Sequence, residues 1–212
     1  MVAKISKNQL LSQSVYQYVL ELIMSKELTP GEKISESEIA EKYGISRTPV
    51  RDALRQLQNE GVITLFPNRF AQVSEYTEQD IQEVGYMRLA LDQLAVRLAL
   101  RFGSFNDFKE LEQIASDCLE AYHEGDQRLR TELDAKFHQT LSSISKNSLL
   151  DKFQNEINIR VQFILIFYRD DHQNDEQHLT QHMNIVEALK QHDEEKLLAL
   201  VHGHLANFYG LE

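Results

Sequence analysis

The sequence predicts a mainly α-helical protein: a short helical domain closed by a small β-hairpin, followed by an all-helical antiparallel bundle. Two short amphipathic segments stand within residues 35–60, and two β-prone runs follow within residues 62–73. Beyond residue 76 the chain has no proline and no further strand pattern. With 212 residues there is room for two modest domains, and we place them at 1–76 and 77–212.

The first domain contains three predicted helices. A supporting amphipathic helix covers residues 8–26. The second helix begins at Ser35, because Ser35 and Glu38 have the spacing of a capping box, and it ends near Gly44. Ser46 can cap the third helix, which the same periodicity carries to residue 60.

The third helix has two distinct faces at 3.6 residues per turn. Its apolar positions are Val50, Ala53, Leu54 and Leu57, while Thr48, Arg51 and Arg55 lie well round the helix from them, with Arg47 between. Arginines and short hydroxyls reach phosphates and base edges, and helix N-termini favour phosphate oxygens. The alternative interpretation is a surface helix with solvated arginines.

A predicted hairpin decides between these interpretations. Residues 62–66 and 70–73 are β-prone, and the dipeptide Pro67-Asn68 supplies a turn between them with Arg69 at the tip. Two helices joined by a tight turn and followed by such a wing are typical of a winged helix-turn-helix, which binds DNA. The hairpin therefore favours a DNA-binding function for the third helix.

Residues 34–63 read ISESEIAEKYGISRTPVRDALRQLQNEGVI, which closely resembles the winged-helix signature of the GntR family of bacterial transcription regulators. The resemblance runs without gaps from about residue 28 to residue 73. It implies that the third helix contacts DNA and that the wing tip reaches the minor groove. The residues so implied are Ser46, Arg47, Thr48, Arg51 and, at the wing tip, Arg69. This chain departs from the family at Phe70, where a glycine usually follows the wing arginine.

The distribution of charge fits localised DNA binding. The chain has a net charge of −11, but residues 1–76 hold 9 basic and 9 acidic side chains, so all the excess negative charge lies in residues 77–212. Acidic flanks repel non-specific DNA and leave binding to a local patch. We expect moderate affinity with strong salt dependence, from a dimer.

Cysteine content and hydropathy indicate the compartment. The single Cys118 excludes an internal disulfide and fits a reducing cytosol. The first residues lack the pattern of a signal peptide, and no apolar run approaches the length of a membrane span. The sequence therefore predicts a cytoplasmic protein without a membrane partner.

The second domain is predicted to contain about six helices in an antiparallel bundle. The breaks between them are expected near residues 103–104, 125–126, 146–147, 171–172 and 192–193.

All eight histidines lie after residue 122, and three of them point inward. His138 stands four residues after Asp134 along the edge of an apolar stripe, and His182 and His204 share faces with the apolar residues of two later helices. Three imidazoles and a carboxylate suit a divalent cation. Taken singly, each could instead be a hydrogen-bonded core histidine, and spacing does not exclude His178 as a further ligand.

The segments 134–138 (DAKFH), 182–189 (HMNIVEAL) and 204–205 (HL) resemble the metal-site pattern of the FCD effector domain, found in the FadR subfamily of GntR regulators. The resemblance covers about residues 80–212. It implies a divalent metal, often zinc but also nickel or another ion, with an open position for a carboxylate effector. The ligands so implied are Asp134, His138, His182 and His204. His178 is not part of that pattern.

Two arginines are candidates for binding the effector. Arg88 lies along an apolar stripe, so its guanidinium can face the cavity and pair with an organic acid. The alternative is a surface pair between Arg88 and Asp92 at i, i+4. Arg160, within an apolar helix, is a second candidate for the same role.

These observations predict a ligand-responsive bacterial transcription regulator that is not an enzyme. It would bind operator DNA as a homodimer and sense a small carboxylate at a metal-containing helical domain, shifting the population that fits the operator. One competing hypothesis is a metal-dependent enzyme tethered to DNA, since such a site can activate water. Another is a regulator whose bundle binds the acid without metal.

Overall fold

The computed structural model of the chain describes residues 7–66, 70–168 and 175–211. Within this part the chain forms nine α-helices and three short strands, which confirms the predicted, mainly helical fold class. The chain divides into two compact units, the first ending at Glu75 and the second beginning at Tyr76.

The first unit contains three helices and a small sheet. Its elements are α1 (Lys7–Met24), β1 (Lys33–Ile34), α2 (Glu36–Tyr43), α3 (Arg47–Asn59), β2 (Ile63–Phe66) and β3 (Phe70–Val73). The Ser35 side chain accepts a hydrogen bond from the backbone N–H of Glu38, and Gly44 ends α2 in the left-handed conformation at φ 61°. Ser46 occupies the N-cap position of α3, but its side chain makes no capping hydrogen bond.

The three strands form an antiparallel sheet in the order β1-β3-β2. The predicted hairpin is present, since β2 pairs with β3 from Ile63 opposite Val73 to Phe66 opposite Phe70. Its tip, including the predicted contact Arg69, lies outside the described residues. The two-residue β1 was not predicted, because so short a segment carries no alternation.

Packing of α1 against α3 forms the core of the first unit. Val15, Val19 and Ile23 on α1 are fully buried, as are Leu54 and Leu57 on α3. One face of α3 is therefore buried and the opposite face is exposed to solvent, as predicted for a helix with two distinct faces.

The described part of the second unit contains six helices, as predicted. They are α4 (Glu78–Phe102), α5 (Phe105–His123), α6 (Gln127–Ile144), α7 (Ser148–Tyr168), α8 (Asp175–Gln191) and α9 (Glu194–Tyr209). Capping boxes begin α4, at Thr77 and Asp80, and α5, at Ser104 and Asp107. The predicted breaks fall between the observed helices, except that the break at 171–172 lies outside the described residues.

The helices of the second unit surround one apolar core, which also brings α4 and α9 close together. Gly85 on α4 faces Tyr209 so closely that a Cβ atom at Gly85 would lie 2.5 Å from the Tyr209 Cβ. Glycine is therefore needed at this position for the two helices to approach. None of the described helices combines the length and the apolar character needed to cross a bilayer.

Candidate functional site

Four donor atoms converge inside the second unit. Asp134 and His138 come from α6, His182 from α8 and His204 from α9, and one ligand atom from each lies within 4.8 Å of all the others. The His138 Nε2 is 3.2 Å from the His182 Nε2 and 3.4 Å from the His204 Nε2. All four side chains are buried, so the cluster lies within the bundle and not on its surface.

Hydrogen bonds on the outer side of two imidazoles fix which nitrogen faces the cluster. The His138 Nδ1 donates to Asp92 Oδ2 at 2.6 Å, because a carboxylate can only accept. The His204 Nδ1 lies 3.1 Å from the Gln181 Oε1, a carbonyl oxygen that also accepts. In both rings Nδ1 therefore carries a proton, so Nε2 is the nitrogen that presents a lone pair to the other donors in the neutral ring.

Asp92 has a second partner that holds it in place. The Gln154 Nε2 donates to Asp92 Oδ1 at 3.2 Å, so α4 and α7 together orient the His138 ring on α6. A carboxylate behind a histidine is the usual arrangement around a metal-binding imidazole. Sequence reasoning missed both Asp92 and Gln154, because neither contact follows from spacing along one helix.

Arg88 is buried, with 1% of its surface exposed, and it bonds to Asp134 across the bundle. Its Nη2 donates to Asp134 Oδ2 at 2.9 Å, and its Nη1 donates to the Tyr209 hydroxyl at 2.9 Å. The alternative of an Arg88–Asp92 surface pair is therefore wrong: both residues are buried, and helix packing offers Arg88 the partner on α6. The other oxygen, Asp134 Oδ1, faces the cluster without a hydrogen-bond partner.

The ionisation of the cluster suits a cation. Burial lowers the pKa of His178, and it lowers the pKa values of His182 and His204 well below their usual range, so these rings are neutral. Burial acts to raise the pKa of Asp134, but Arg88 and the neighbouring imidazoles outweigh it and hold that pKa well below its usual range. The pKa of Arg88 is raised despite burial, chiefly by Tyr209 and Asp134.

These observations fit a divalent metal. The Nε2 atoms of His138 and His204 both present lone pairs, so at 3.4 Å they cannot hydrogen-bond to each other. A carboxylate oxygen without a partner completes the set, and neutral imidazole plus carboxylate is a donor set for Zn²⁺ and similar ions. A metal bound there would supply a Lewis-acidic position for a further oxygen ligand.

His178 and Arg160, the two other candidate site residues of the second unit, lie in different surroundings. His178 on α8 stacks on the His204 ring at 3.9 Å, and its Nε2 is 3.8 Å from Asp134 Oδ1. Arg160 is partly buried on α7, and its charge acts on Tyr76. Burial raises the pKa of Tyr76, and Arg160 acts in the opposite direction and lowers it. A role for Arg160 in effector binding stays a prediction.

The structure brings the predicted DNA contacts of α3 together at its first turns. Ser46, Arg47, Thr48 and Arg51 are all exposed there. Arg47 and Arg51 border a groove of about 780 Å³ lined by the start of α2, by α3 and by the sheet. The Arg51 Nε donates to Glu36 Oε2 at 2.9 Å, so this guanidinium is held near the groove and away from the core. That these four residues at the start of α3 contact DNA stays a prediction.

The buried imidazoles give the metal-free protein a defined pH dependence. The unfolded chain takes up protons on His178, His182 and His204 below about pH 6.5, whereas the folded chain resists this until lower pH. Stability is therefore retained above pH 6.5 and lost as the pH falls, by at most about 1.4 kcal/mol per pH unit for each ring.

Urea unfolding of the chelator-treated protein at pH 7.5 and pH 5.5 measures this loss. His182→Phe removes one titrating ring, so the loss should shrink by about 1.4 kcal/mol in that variant. Equal stability of the wild type at the two pH values would contradict the expectation.

The first unit is a winged helix-turn-helix, and the second is a helical unit that encloses a set of possible metal ligands. This architecture is that of a transcription regulator. Residues 11–73 match the family described as bacterial regulatory proteins, gntR family, and residues 83–207 match the FCD domain. The chain belongs to the GntR family of bacterial transcription regulators and carries an FCD domain.

Individual relatives agree with this assignment. The Nta operon transcriptional regulator of Aminobacter aminovorans is 32% identical over 193 residues, covering 89% of this chain and 88% of the relative. The uncharacterized HTH-type transcriptional regulator YdhC of Bacillus subtilis (strain 168) is 29% identical over 182 residues, covering 85% and 81%.

A crystal structure of a putative transcriptional regulator GntR from Rhodococcus sp. RHA1 has the same fold. It covers 94% of this chain and 95% of its own, with a TM-score of 0.79 and 22% identity. The relatives are transcription regulators and not enzymes, which confirms that prediction and argues against the tethered metalloenzyme.

Proposed function

We propose that this chain binds operator DNA as a homodimer through its first unit and senses a small carboxylate at a divalent metal in its second. The observation that carries the proposal is the pair of inward-facing lone pairs on His138 and His204, 3.4 Å apart beside the unpartnered Asp134 Oδ1. Buried acceptors in this arrangement repel one another, and a divalent cation among them would remove that repulsion.

The balance of buried charge supports an anionic effector. Arg88 contributes one positive charge, Asp134 and Asp92 contribute two negative charges, and the rings of His182 and His204 are neutral. The His138 ring must also be neutral when it binds a metal. Adding a divalent ion leaves one uncompensated positive charge inside the bundle. Because an unpaired buried charge is costly, a monoanionic ligand such as a carboxylate stabilises the loaded site.

We propose zinc as the metal, with nickel or another divalent ion as alternatives, since three imidazoles and one carboxylate suit several ions. Arg88 already bonds to Asp134 and Tyr209, which supports a role in holding Asp134 in place. Direct contact of Arg88 or Arg160 with the effector stays a prediction.

Dimerisation is supported by an apolar face on α4. Tyr86, Met87 and Leu94 are exposed there by 48%, 53% and 41%, all on the outer side of the helix. A second copy would cover such a face, and a two-fold dimer would read a palindromic operator with half-sites about one helical turn apart or less. Effector binding would then change the placement of the two DNA-binding units.

Elemental analysis of protein purified without added metal, followed by thermal unfolding with small carboxylic acids, tests this function. We expect about one divalent ion per chain, a lower melting temperature after chelation, and stabilisation by an acid only in the loaded protein. Stabilisation by an acid that is equal with and without chelator would support the metal-free regulator instead.

DNA binding gives a second test, in the first unit. Arg51→Ala and Arg47→Ala should each weaken binding to an operator fragment obtained by in vitro selection, by about 1–3 kcal/mol where the side chain reads a base. Arg128→Ala, which removes an exposed arginine of α6 in the second unit, is the matched control. Unchanged affinity of the Arg51 variant in a gel-shift titration would remove Arg51 from the DNA contacts.

A further inference from the structure

His178 presents a buried donor to the metal-type cluster without being one of the four converging residues. Its Nε2 has no hydrogen-bond partner among the described residues, and neither does Asp134 Oδ1 opposite it. The two atoms are 3.8 Å apart, which is too long for a hydrogen bond. Buried polar groups are nearly always satisfied, so the His178 Nε2 is a nitrogen beside the cluster that a bound ligand could still engage.

Packing fixes the direction in which His178 points. Its ring stacks on the His204 ring at 3.9 Å with an angle of 16°, and it packs against Phe208 at 4.7 Å. With two rings packed against it, the His178 side chain has restricted rotation, so the Nε2 stays directed at the cluster. The residue stands beside the set formed by Asp134, His138, His182 and His204.

A carboxylate has two oxygens, and each would require a different binding partner at the proposed site. One oxygen would take the position that the metal leaves open, and the other would be buried and would need a donor. The Arg88 Nη1 and Nη2 already donate to Tyr209 and Asp134. The His178 Nε2 is a buried nitrogen that remains unused at this cluster.

We propose that His178 is the ligand-specificity residue of this site: its Nε2–H donates to the carboxylate oxygen that the metal does not hold. The inference rests on the proposed function and narrows the ligand class. It selects ligands with an acceptor atom next to the metal-bound atom, as in carboxylates, over single-atom anions such as chloride.

Cobalt-loaded protein gives a direct readout, because the visible absorption of Co²⁺ reports its ligands. Acetate and chloride are titrated separately into wild type, His178→Phe, His178→Gln and the control His202→Phe, which changes an exposed histidine on α9. Phenylalanine keeps the stacking on His204 without the N–H, and glutamine keeps an N–H donor. Melting temperatures of all four proteins check that the bundle is intact.

We expect His178→Phe to weaken acetate binding by about 10- to 100-fold and to leave chloride binding within about 3-fold. His178→Gln should recover most of the acetate affinity, and the control should match wild type. The Co²⁺ spectrum and affinity without acetate should be the same in all four proteins.

Three results would overturn the inference, and they differ in what else they overturn. Equal acetate affinity in wild type and His178→Phe removes the donor role alone. Loss of Co²⁺, or a changed spectrum, in His178→Phe before any acetate is added makes His178 a metal ligand. Failure of the wild type to bind Co²⁺ at all overturns the metal centre of the proposed function and the role of His178 with it.

Discussion

Replacing His182 with glutamine is expected to lower the Zn²⁺ affinity of the protein by more than about 100-fold. The side chain is fully buried, and its Nε2 lies 3.2 Å from the His138 Nε2 and 3.4 Å from Asp134 Oδ1, at the centre of the donor set. Loss of a group behind a metal ligand typically costs 10- to 100-fold in affinity, so loss of a ligand should cost more. Competition with a chromogenic chelator measures the change.

Two further variants show what change in Zn²⁺ affinity a smaller perturbation and a neutral one produce. Asp92→Asn weakens only the support behind His138 and should reduce Zn²⁺ affinity by about 10- to 100-fold. His202→Gln, an exposed change on α9, should have no effect. If His182→Gln binds Zn²⁺ as tightly as the control does, the cluster is a hydrogen-bonded core and not a metal centre.

Removing the charge of Asp134 in the metal-free protein is expected to cost about 3–5 kcal/mol of unfolding free energy. Asp134→Asn leaves the Arg88 guanidinium buried without its ion-pair partner, at a site where the two side chains are 3% and 2% exposed. The cost reflects the uncompensated charge and not the strength of the pair itself. Urea denaturation in the presence of a chelator measures it.

An exposed pair on the same helix provides the control. Arg128 and Glu132 are both 52% exposed, so Glu132→Gln should cost less than about 0.5 kcal/mol. The double variant Arg88→Met/Asp134→Leu should recover much of the stability, because neither member of the pair is then left buried without the other. A cost below about 1 kcal/mol for Asp134→Asn would show that Arg88 finds another way to be solvated.

Much of the fold was predictable because it rests on local signals. Thr77 and Asp80 form a capping box that the sequence alone indicates, and Gly44 ends α2 in the left-handed conformation. Helical periodicity also placed Asp134, His182 and His204 on inward faces, and a buried centre is the common destination of such faces in a bundle.

Other features depend on which helices pack against each other, and the helical periodicity of the sequence does not predict that. Arg88 has Asp92 four residues away, yet it bonds to Asp134, 46 positions along the chain. Asp92 in turn bonds to His138, also 46 positions away. Spacing along α4 suggested the wrong pair, since both partners are supplied by α6 only after the bundle has formed.

The spread of the four donors along the chain has a consequence for how this protein persists in the cell. His138 and His204 are 66 positions apart, and they belong to different helices. An ion held between them would act as a reversible cross-link that closes a long loop, an effect that stabilises mainly by restricting the unfolded chain. The amount of this regulator that escapes proteolysis would then follow the supply of free metal, independently of any acid that it senses.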